Sequence, residues 1–296
     1  MALTLTEASK LSNDVLLSGV IETIVNESPV LQHMPFIEIV GNSLTYNREN
    51  AAPTVAFYDV GDAWAESTPT FSQVTATLKI LGGDADVDNY VAASRSNVQD
   101  LEAAIVELKA KAVQQKFDDT FINGDVATNT KAFDGIDKLT TTGQTISMGD
   151  NGATLTLDKL DELIDKVKSG KPDMLIMSRR TRRKLNSLVR ATGSGFLQTD
   201  RNMLGQMVQF YDGVPIGISD WVADDQRAGT ARDCSTIYAV QFGEDGVSGL
   251  TGPSGLQVER VGSLETKDAT RTRVKWYVAV ALFSTVKLAK LTGVRN

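Results

Sequence analysis

The stretch KAVQQKFDDTFINGD, residues 111–125, places two adjacent carboxylates beside two phenylalanines and an Asn-Gly pair. Paired carboxylates can act as acid and base in glycoside hydrolysis, and acidic loops with a central glycine can bind calcium. Asp118 and Asp119 are neighbours in a helical pattern, so their side chains diverge by about 100° and cannot flank one bond. A calcium loop starting at Asp119 would require oxygen ligands at Phe121 and Thr130, the latter a bidentate glutamate. Both interpretations fail, and we predict a solvated helix end.

A second acidic motif, GGDADVDNYV, carries Asp84, Asp86 and Asp88. As a calcium loop it would place Asn89 where glycine is required and Arg95 where the glutamate is required. Residues two positions apart share one face of a β-strand. We therefore predict that the three acids line one face of a strand.

Cysteine and histidine are represented by one residue each, Cys234 and His33. A single cysteine excludes an intrachain disulfide, and two residues cannot form a Cys/His zinc cluster. No motif supports them as a nucleophile and its base. We therefore predict no catalytic residue, no cofactor and no metal site, and a protein that is not an enzyme.

The run RRTRRK, residues 179–184, contains five cations in six positions. Clustered cations are typical of nucleic-acid patches. This run lacks interleaved aromatic residues and follows a short apolar strand pattern. A solvated helix face or a subunit contact is the favoured interpretation, and a nucleic-acid patch is the alternative.

Composition narrows the class of protein. A chain of 296 residues that is 42% hydrophobic and 23% charged can bury a large core in one domain or two. Its first 125 residues carry 18 acidic and 7 basic side chains, and the whole chain has a net charge of −7. This acidity argues against a dedicated duplex-DNA binder. The chain opens without a signal-peptide pattern, and its longest apolar run, residues 276–283, is too short to cross a membrane. We expect a soluble protein made in a cytoplasm.

The N-terminal 43 residues are predicted to form an arm with little core of its own. The pattern NDVLLSGVIETIVN, residues 13–26, predicts a short amphipathic helix. Pro29 and Pro35 are then predicted to bound an extended piece.

Two alternating stretches, residues 44–48 and 74–80, predict the strands of a long hairpin. The 20 residues AAPTVAFYDVGDAWAESTPT between them exceed an ordinary hairpin turn, so they predict a functional extension. Exposed aromatic side chains lower solubility unless a partner covers them. Phe57, Tyr58 and Trp64 are therefore predicted to contact a partner.

A long helix follows the hairpin. Ser96 and Gln99 fit a capping box, and apolar residues then repeat at steps of three and four as far as Phe121. The predicted helix is roughly 39 Å long at about 1.5 Å per residue. Gly124 is predicted to stop it in a left-handed conformation.

Residues 135–255 change to an α/β rhythm. A helix around 160–167, a buried strand at 173–178 and a helix at 181–190 are followed by the strand patterns MVQF, VPIGIS and STIYAVQF. The glycine-rich run GEDGVSGLTGPSG, residues 243–255, lacks the Gly-Lys-Ser/Thr of a phosphate loop. We predict a flexible interdomain loop there.

The chain ends in a β pattern, residues 256–296. Arg271, Arg273 and Lys275 alternate on one face of the predicted strand. They mirror the three alternating acids of residues 84–88. We predict that the two triplets pair across a sheet or a subunit boundary.

Taken in order, these motifs resemble the major capsid proteins of tailed double-stranded-DNA bacteriophages, whose fold is shared with encapsulins. The resemblance covers essentially the whole chain and rests on FDDTFINGD at the helix end, FDGI at 133–136, DGVPIGISDW at 212–221 and the closing VKLAKLTGV. It implies an α+β fold with an N-terminal arm, an extended loop, a peripheral domain containing a long spine helix, and an α/β axial domain. The implied boundaries are 1–43 for the arm, 44–80 for the loop, 81–134 and 256–296 for the peripheral domain, and 135–255 for the axial domain.

The resemblance also implies a function. The expected protein is a structural subunit that assembles through hexamers and pentamers into an icosahedral shell enclosing double-stranded DNA, which it contacts non-specifically. Expected partners are copies of itself, a separate scaffolding protein, a portal and a decoration protein, with no membrane. The expected location is the virion, after assembly in the bacterial host cytoplasm. Residues assigned to the assembly interface are Phe57, Tyr58, Trp64, Asp84, Asp86, Asp88, Arg271, Arg273 and Lys275.

Three alternatives stay open: an encapsulin-like protein compartment, a soluble α/β enzyme, and a nucleic-acid-binding module based on RRTRRK. Some members of the resembled family carry a fused, cleaved scaffolding segment, which we do not expect here because the arm starts almost at Met1. Some also join subunits covalently through a lysine in the extended loop and an asparagine in the closing β region. Residues 44–78 contain no lysine and residues 265–276 no asparagine. A non-covalent shell is therefore expected.

Overall fold

The computed structural model describes residues 28–51, 53–90, 101–168, 170–193, 197–201 and 207–295. The predicted helix at 13–26 and the predicted capping box at Ser96 and Gln99 lie outside these residues. The described chain forms two main sheets, a separate two-stranded hairpin and five α-helices, which confirms the predicted α+β class. None of the described helices is long and apolar enough to cross a membrane.

The described part of the N-terminal region is core. Helix α1, Pro29–His33, starts after Ser28, whose Oγ accepts a hydrogen bond from the Leu31 amide at 3.2 Å. Proline in the first helical turn suits this start because its missing N–H would be unpaired there in any case. Four apolar side chains of this segment are buried: Val30, Leu31, Met34 and Ile39. The prediction of an extended piece without core is therefore wrong for residues 28–39.

A four-stranded sheet lies beside this segment in the order β1, β13, β14, β4. β1 is parallel to β13, and the other pairs are antiparallel. The strands are β1, Phe36–Glu38; β4, Lys79–Asp88; β13, Val247–Ser263; and β14, Ala269–Leu282.

Strand β13 contains most of the glycine-rich run, so the predicted flexible loop is wrong from Val247 onward. The glycines allow close packing: a Cβ on Gly249 would lie 2.3 Å from the Phe36 ring. The predicted domain boundary after residue 255 also falls inside this strand.

The spine helix, α2, runs over Leu101–Asn123 and packs along the four-stranded sheet. Its buried apolar face contains Val106, Ala110, Val113, Phe117 and Phe121. The predicted repeat is confirmed from Val113 onward, but it is wrong at Leu108 and Ala112, which are exposed. Gly124 does not adopt a left-handed conformation, contrary to the prediction. Its role is close approach, because a Cβ there would lie 2.3 Å from the Phe133 carbonyl oxygen and 2.4 Å from that of Thr120.

Aromatic rings join the end of the spine helix to the sheet. The Phe117 ring lies 5.1 Å from Trp276 and 5.8 Å from Phe133, centroid to centroid. Phe36 lies 5.3 Å from Trp276. Tilted aromatic pairs at these distances add to the stabilisation from burial. We call Phe36, Phe117, Phe133 and Trp276 the aromatic cluster.

The second main sheet has nine strands. Its path is β5, β15, β12, β7, β10, β9, β8, with β11 paired to β12 and β6 paired to β15. The strands are β5, Thr145–Ser147; β6, Ala153–Thr154; β7, Met174–Met177; β8, Leu197–Arg201; β9, Met207–Tyr211; β10, Val214–Ile218; β11, Gln226–Ala228; β12, Ala231–Val240; and β15, Leu288–Arg295. The last strand thus joins the α/β region rather than the other closing strands with which it was predicted to lie. The remaining domain boundaries stay predictions.

This sheet separates two cores. Ile176 and Tyr238 belong to the core beneath the spine helix, whereas Leu175 and Ile237 belong to the core beneath the helices Leu157–Lys166 and Arg179–Thr192. Alternate strand residues point to opposite faces, so a sheet covered on both sides needs the continuous apolar run seen in β7. The other helices are α3, Ile136–Leu139; α4, Leu157–Lys166; and α5, Arg179–Thr192.

The predicted hairpin is confirmed. β2, Ser43–Ala51, pairs antiparallel with β3, Thr70–Thr77, and Tyr46 lies opposite Val74. Residues 53–69 between the strands contain no helix or strand. We call residues 53–69 the extension tip.

Candidate assembly interface

Two of the three predicted ion pairs are present, and both lie within one subunit. The β4–β14 register places Arg271 opposite Asp86 and Arg273 opposite Asp84. Arg271 donates from Nε to Asp86 Oδ1 at 2.6 Å and from Nη2 to Oδ2 at 2.9 Å. Arg273 donates to the two oxygens of Asp84 at 2.6 and 3.0 Å. Such forked pairs fix the register of two strands as well as their charge. We call these four residues the charge ladder.

The third predicted pair is wrong. Lys275 lies opposite Gly82, and its Nζ donates instead to Glu259 Oε2 on β13 at 2.6 Å. Asp88 lies opposite Ala269, one pair beyond Arg271. Both triplets alternate along their strands as predicted. The β4–β14 register shifts the basic triplet by one pair relative to the acidic triplet, so Asp88 and Lys275 each lie opposite an uncharged residue.

Hydrogen bonding perturbs the ladder's carboxylates. Donation from Arg271 and Lys267 holds the pKa of Asp86 well below its usual range, and donation from Arg273 lowers the pKa of Asp84. The ladder therefore stays ionised in mildly acidic solution. Because its members are accessible to water, screening keeps each pair's contribution to stability small.

The extension tip keeps its aromatic side chains out of the core. Phe57 is fully exposed and Trp64 is 81% exposed. The Tyr58 and Trp64 rings stack at 4.5 Å with 22° between their planes, and Tyr58 Oη accepts a hydrogen bond from the Ala65 amide at 3.1 Å. The tip therefore has local order while two of its three aromatics face solvent. Their burial against a neighbouring copy stays a prediction.

The base of the extension is fixed to the subunit body. Tyr46 Oη donates to the Leu282 carbonyl oxygen at 2.8 Å, and the Tyr46 ring lies 4.8 Å from that of Phe283. Arg48 donates to the carbonyls of both Leu282 and Phe283. Desolvation raises the pKa of Tyr46, which keeps its hydroxyl a donor. Sequence reasoning missed this anchor, whose only signal was a tyrosine and an arginine on one strand face.

Asp118 is buried, so the predicted solvated helix end is wrong for this residue. Ser28 Oγ donates to its Oδ1 at 2.7 Å, and Gln114 Nε2 donates to its Oδ2 at 2.9 Å. Burial raises the pKa of Asp118. Asp119 behaves differently, because it is partly exposed and pairs with Lys116 at 2.8 Å. Asp118 thus ties the N-terminal segment to the spine helix.

The cations of the RRTRRK run occupy the first half of α5. Arg179 forms a forked pair with Asp220 at 2.5 and 2.8 Å. Arg180 donates to the carbonyl oxygens of Asp224 and Asp233 at 2.8 and 2.7 Å. The favoured interpretation of this run is a solvated helix face or a subunit contact. Arg179 and Arg183 are exposed, in agreement with a solvated face, whereas Arg180 binds its own subunit. A contact with another subunit stays a prediction.

Among the residues that the structure describes, no group of three or more His, Cys, Asp or Glu side chains is placed to hold a metal ion. Cys234 is buried in β12, and His33 is exposed at the end of α1.

The sequence matches the model of the phage capsid family over residues 11–293, and the chain therefore belongs to that family. It is a capsid shell protein, and the family and its fold are structural. No curated protein matches this chain in sequence.

Solved structures share the fold at low sequence identity. The encapsulin of the holo-SrpI complex from Synechococcus elongatus PCC 7942 is 18% identical, with a TM-score of 0.72 and coverage of 100% of this chain and 97% of that one. The structure of Microbacterium phage Oxtober96 is 16% identical, with a TM-score of 0.65 and 91% coverage of each chain. The capsid of a native GTA particle is 15% identical, with a TM-score of 0.64 and coverage of 92% of this chain and 90% of that one. Because the identities are this low, these likenesses establish the fold alone.

Proposed function

We propose that this chain is the major subunit of an icosahedral shell, that it assembles through hexamers and pentamers, and that the shell encloses double-stranded DNA. The observation that carries the proposal is the match to the phage capsid family over residues 11–293. Contact with the enclosed DNA would be non-specific, and the net charge of −7 argues against a dedicated duplex-DNA binder.

The extension supports the shell role. Its base is held by Tyr46 and Arg48, while its tip exposes Phe57 and Trp64 away from any core of the same subunit. Aromatic anchors commonly dominate protein interfaces. A tip of this kind suits burial against a neighbouring copy, and repeated contacts of modest strength sum to a stable closed particle.

The proposal extends to the surroundings of the shell. A separate scaffolding protein, a portal and a decoration protein are the expected partners, and assembly would take place in the bacterial host cytoplasm. The virion capsid is the final location.

An encapsulin-like compartment is the second candidate. One observation favours it: the Synechococcus encapsulin covers 100% of this chain at a TM-score of 0.72, against 91% and 0.65 for the Microbacterium phage structure. A compartment of that kind would hold protein cargo in place of DNA.

Electron microscopy of the purified protein tests both candidates. Closed icosahedral particles are expected, and monomers under all solution conditions would contradict either shell function. Nuclease-protected double-stranded DNA inside particles made during infection supports the phage role. A reproducible protein cargo without DNA would support the compartment instead.

The absence of covalent joining is tested on the same particles. Boiled and reduced shells should run as a single band near 31.9 kDa in denaturing electrophoresis. A ladder of covalent oligomers would contradict this expectation, and it would leave the shell function standing.

A further inference from the structure

One face of helix α5 lines an open cavity of about 840 Å³. The helix supplies residues at steps of three and four, which place them on one side. The opposite side, with Thr181 and Leu185, is buried, and Val189 lies between the core and the edge of the cavity. The cavity's polar lining consists of Arg179, Arg180, Arg182, Arg183, Asn186, Arg190, Gln209 and Asp224. We call it the arginine cavity.

The charges in the arginine cavity are only partly neutralised. Arg179 is paired with Asp220, and Arg180 Nε lies 3.4 Å from Asp224 Oδ1. Within the described part of the chain, Arg182, Arg183 and Arg190 have no carboxylate partner. Among the described residues, the Nε of Arg190 donates to the Asn186 carbonyl oxygen, at 3.2 Å. Three guanidinium groups therefore share one concave site without counter-charge from the described residues.

Four buried polar atoms in this cavity have no hydrogen-bond partner among the residues that the structure describes. They are Arg180 Nε, Arg182 Nε, Asn186 Oδ1 and Gln209 Oε1. Buried polar groups are almost always paired in folded proteins, so such a concentration requires an explanation. Amide oxygen and nitrogen atoms exchange places by a flip of the side chain, after which Asn186 and Gln209 would also present donors. All four side chains could then donate to one acceptor-rich group.

The position of the arginines on the helix is unfavourable by itself. The N-terminal end of a helix carries partial positive charge, so cations in its first turn are destabilising. Ser178 caps α5, which puts Arg179, Arg180 and Arg182 at that end. Asp220 and Asp224 offset part of the unfavourable interaction. A bound anion would offset the rest.

We propose that the arginine cavity binds a phosphate-bearing polyanion, either a free oligophosphate or the backbone of a nucleic acid. The planar guanidinium group donates two parallel hydrogen bonds to phosphate oxygens, and several such groups converge here. The cavity volume falls within the range of small-ligand sites, roughly 300–1,000 Å³. The concave shape of the cavity suits a phosphate group better than it suits the flat surface of another protein. The proposal is independent of the shell function.

Calorimetric titration of the full-length chain at low ionic strength tests the site. The two probes are inorganic triphosphate and a single-stranded DNA of about twelve nucleotides, the size that tracks a short basic groove. The test variant replaces the three unpaired cations: Arg182→Gln, Arg183→Gln and Arg190→Gln. Its affinity for the probe that binds should fall at least about tenfold, since charge-assisted hydrogen bonds are the strong ones.

The matched control is Lys184→Gln, which removes one charge from the same helix but lies outside the cavity lining. Its affinity should stay within about twofold of the original chain, because charges beyond the site are screened. A second variant with lysine at positions 182, 183 and 190 keeps the charge without the guanidinium fork, and an intermediate affinity is expected. Circular dichroism verifies that each variant is folded. If the triple glutamine variant does not fold, Arg183→Gln alone should weaken binding by about threefold.

The outcomes separate the sources of phosphate. Triphosphate binding that DNA does not displace identifies a free oligophosphate, and preferential DNA binding identifies nucleic acid. Equal binding by the triple variant and the control overturns the proposal. Failure of both probes to bind the original chain also overturns it, and impaired particle formation by the triple variant would then assign the cavity to an acidic segment of a second copy.

Discussion

Two aromatic groups in this molecule have similar composition and opposite surroundings. The aromatic cluster lies between the spine helix and the four-stranded sheet, where Phe117 is fully buried and Trp276 is 7% exposed. The extension tip carries Tyr58 and Trp64, which stack on each other while Trp64 stays 81% exposed. The aromatic cluster stabilises the subunit, whereas the exposed rings of the extension tip contribute little to the stability of their own subunit. We therefore expect fold and assembly to depend on separate residues.

The largest expected effect is on the aromatic cluster. Trp276→Ala removes a buried ring that contacts Phe36 and Phe117. Large-to-small changes of this kind lower the free energy of unfolding by about 3–5 kcal/mol. Urea denaturation of the unassembled subunit measures the change. A loss below about 1 kcal/mol would mean that the surrounding side chains repack into the cavity left by the indole ring. The contrast between the aromatic cluster and the extension tip would then not hold.

The next effect concerns Asp118, which joins Ser28 to the spine helix. Asp118→Ala removes the acceptor for Ser28 and Gln114, and it should lower the free energy of unfolding by about 1–3 kcal/mol. Asp118→Asn keeps the shape of the side chain. In the original chain, the buried Gln114 Oε1 has no hydrogen-bond partner among the described residues, and after a flip of the Gln114 amide it could accept from the amide introduced at position 118. Denaturation curves compare both variants with Asp119→Asn, a matched change at a partly exposed neighbour that is paired with Lys116.

The pH dependence of Asp118→Asn gives a signed test. Burial raises the pKa of Asp118 above its value in the unfolded chain. In the pH interval between these two pKa values, the native subunit therefore binds more protons than the unfolded chain. The contribution of Asp118 to stability therefore falls as the pH rises through the interval. Asp118→Asn should therefore gain stability relative to the original chain as the pH rises from the acidic range through the raised pKa of Asp118. A relative loss over that range would show that the carboxylate is better stabilised when ionised.

Exchanging the charges of the ladder should change stability less than the Asp118 variants. Asp84→Arg or Arg273→Glu alone places like charges opposite each other, which is unfavourable, and the double exchange should restore the pair. Thermal unfolding and particle yield are measured for all three variants. If the double exchange rescues folding but not particle yield, the ladder has an assembly role beyond the strand register. If the double exchange rescues neither folding nor particle yield, the loss of the Asp84–Arg273 pair is not what impairs the single variants.

The smallest expected effect on folding is at the tip. Trp64→Ala should leave the free energy of unfolding nearly unchanged, because its ring is 81% exposed and stacks on Tyr58 of the same loop. It should weaken the shells, because aromatic anchors dominate interfaces. Denaturation of the subunit and dissociation of particles are compared with those of Trp276→Ala. A subunit that unfolds on this change would show that the tip packs within its own chain. Shells of unaltered strength would remove Trp64 from the proposed interface.

Local periodicity in the sequence determined much of this fold. Alternation over residues 44–48 and 74–80 predicted the hairpin, and steps of three and four predicted the spine helix to within two residues of its end at Asn123. The apolar run at 173–178 predicted a buried strand, which is β7. These features depend on neighbours along the chain, so the pattern alone specifies them.

Contacts between distant segments were decided by the tertiary structure. Gly249 lies in a strand where the Phe36 ring fills the space that a side chain would occupy. Asp118 is buried because Ser28, 90 positions away, packs against it. Lys275 pairs with Glu259 because the β4–β14 register puts Gly82 opposite it. Residue types and spacing defined which charges and rings were available, while register and long-range packing, which arise only when the whole chain closes, selected their partners.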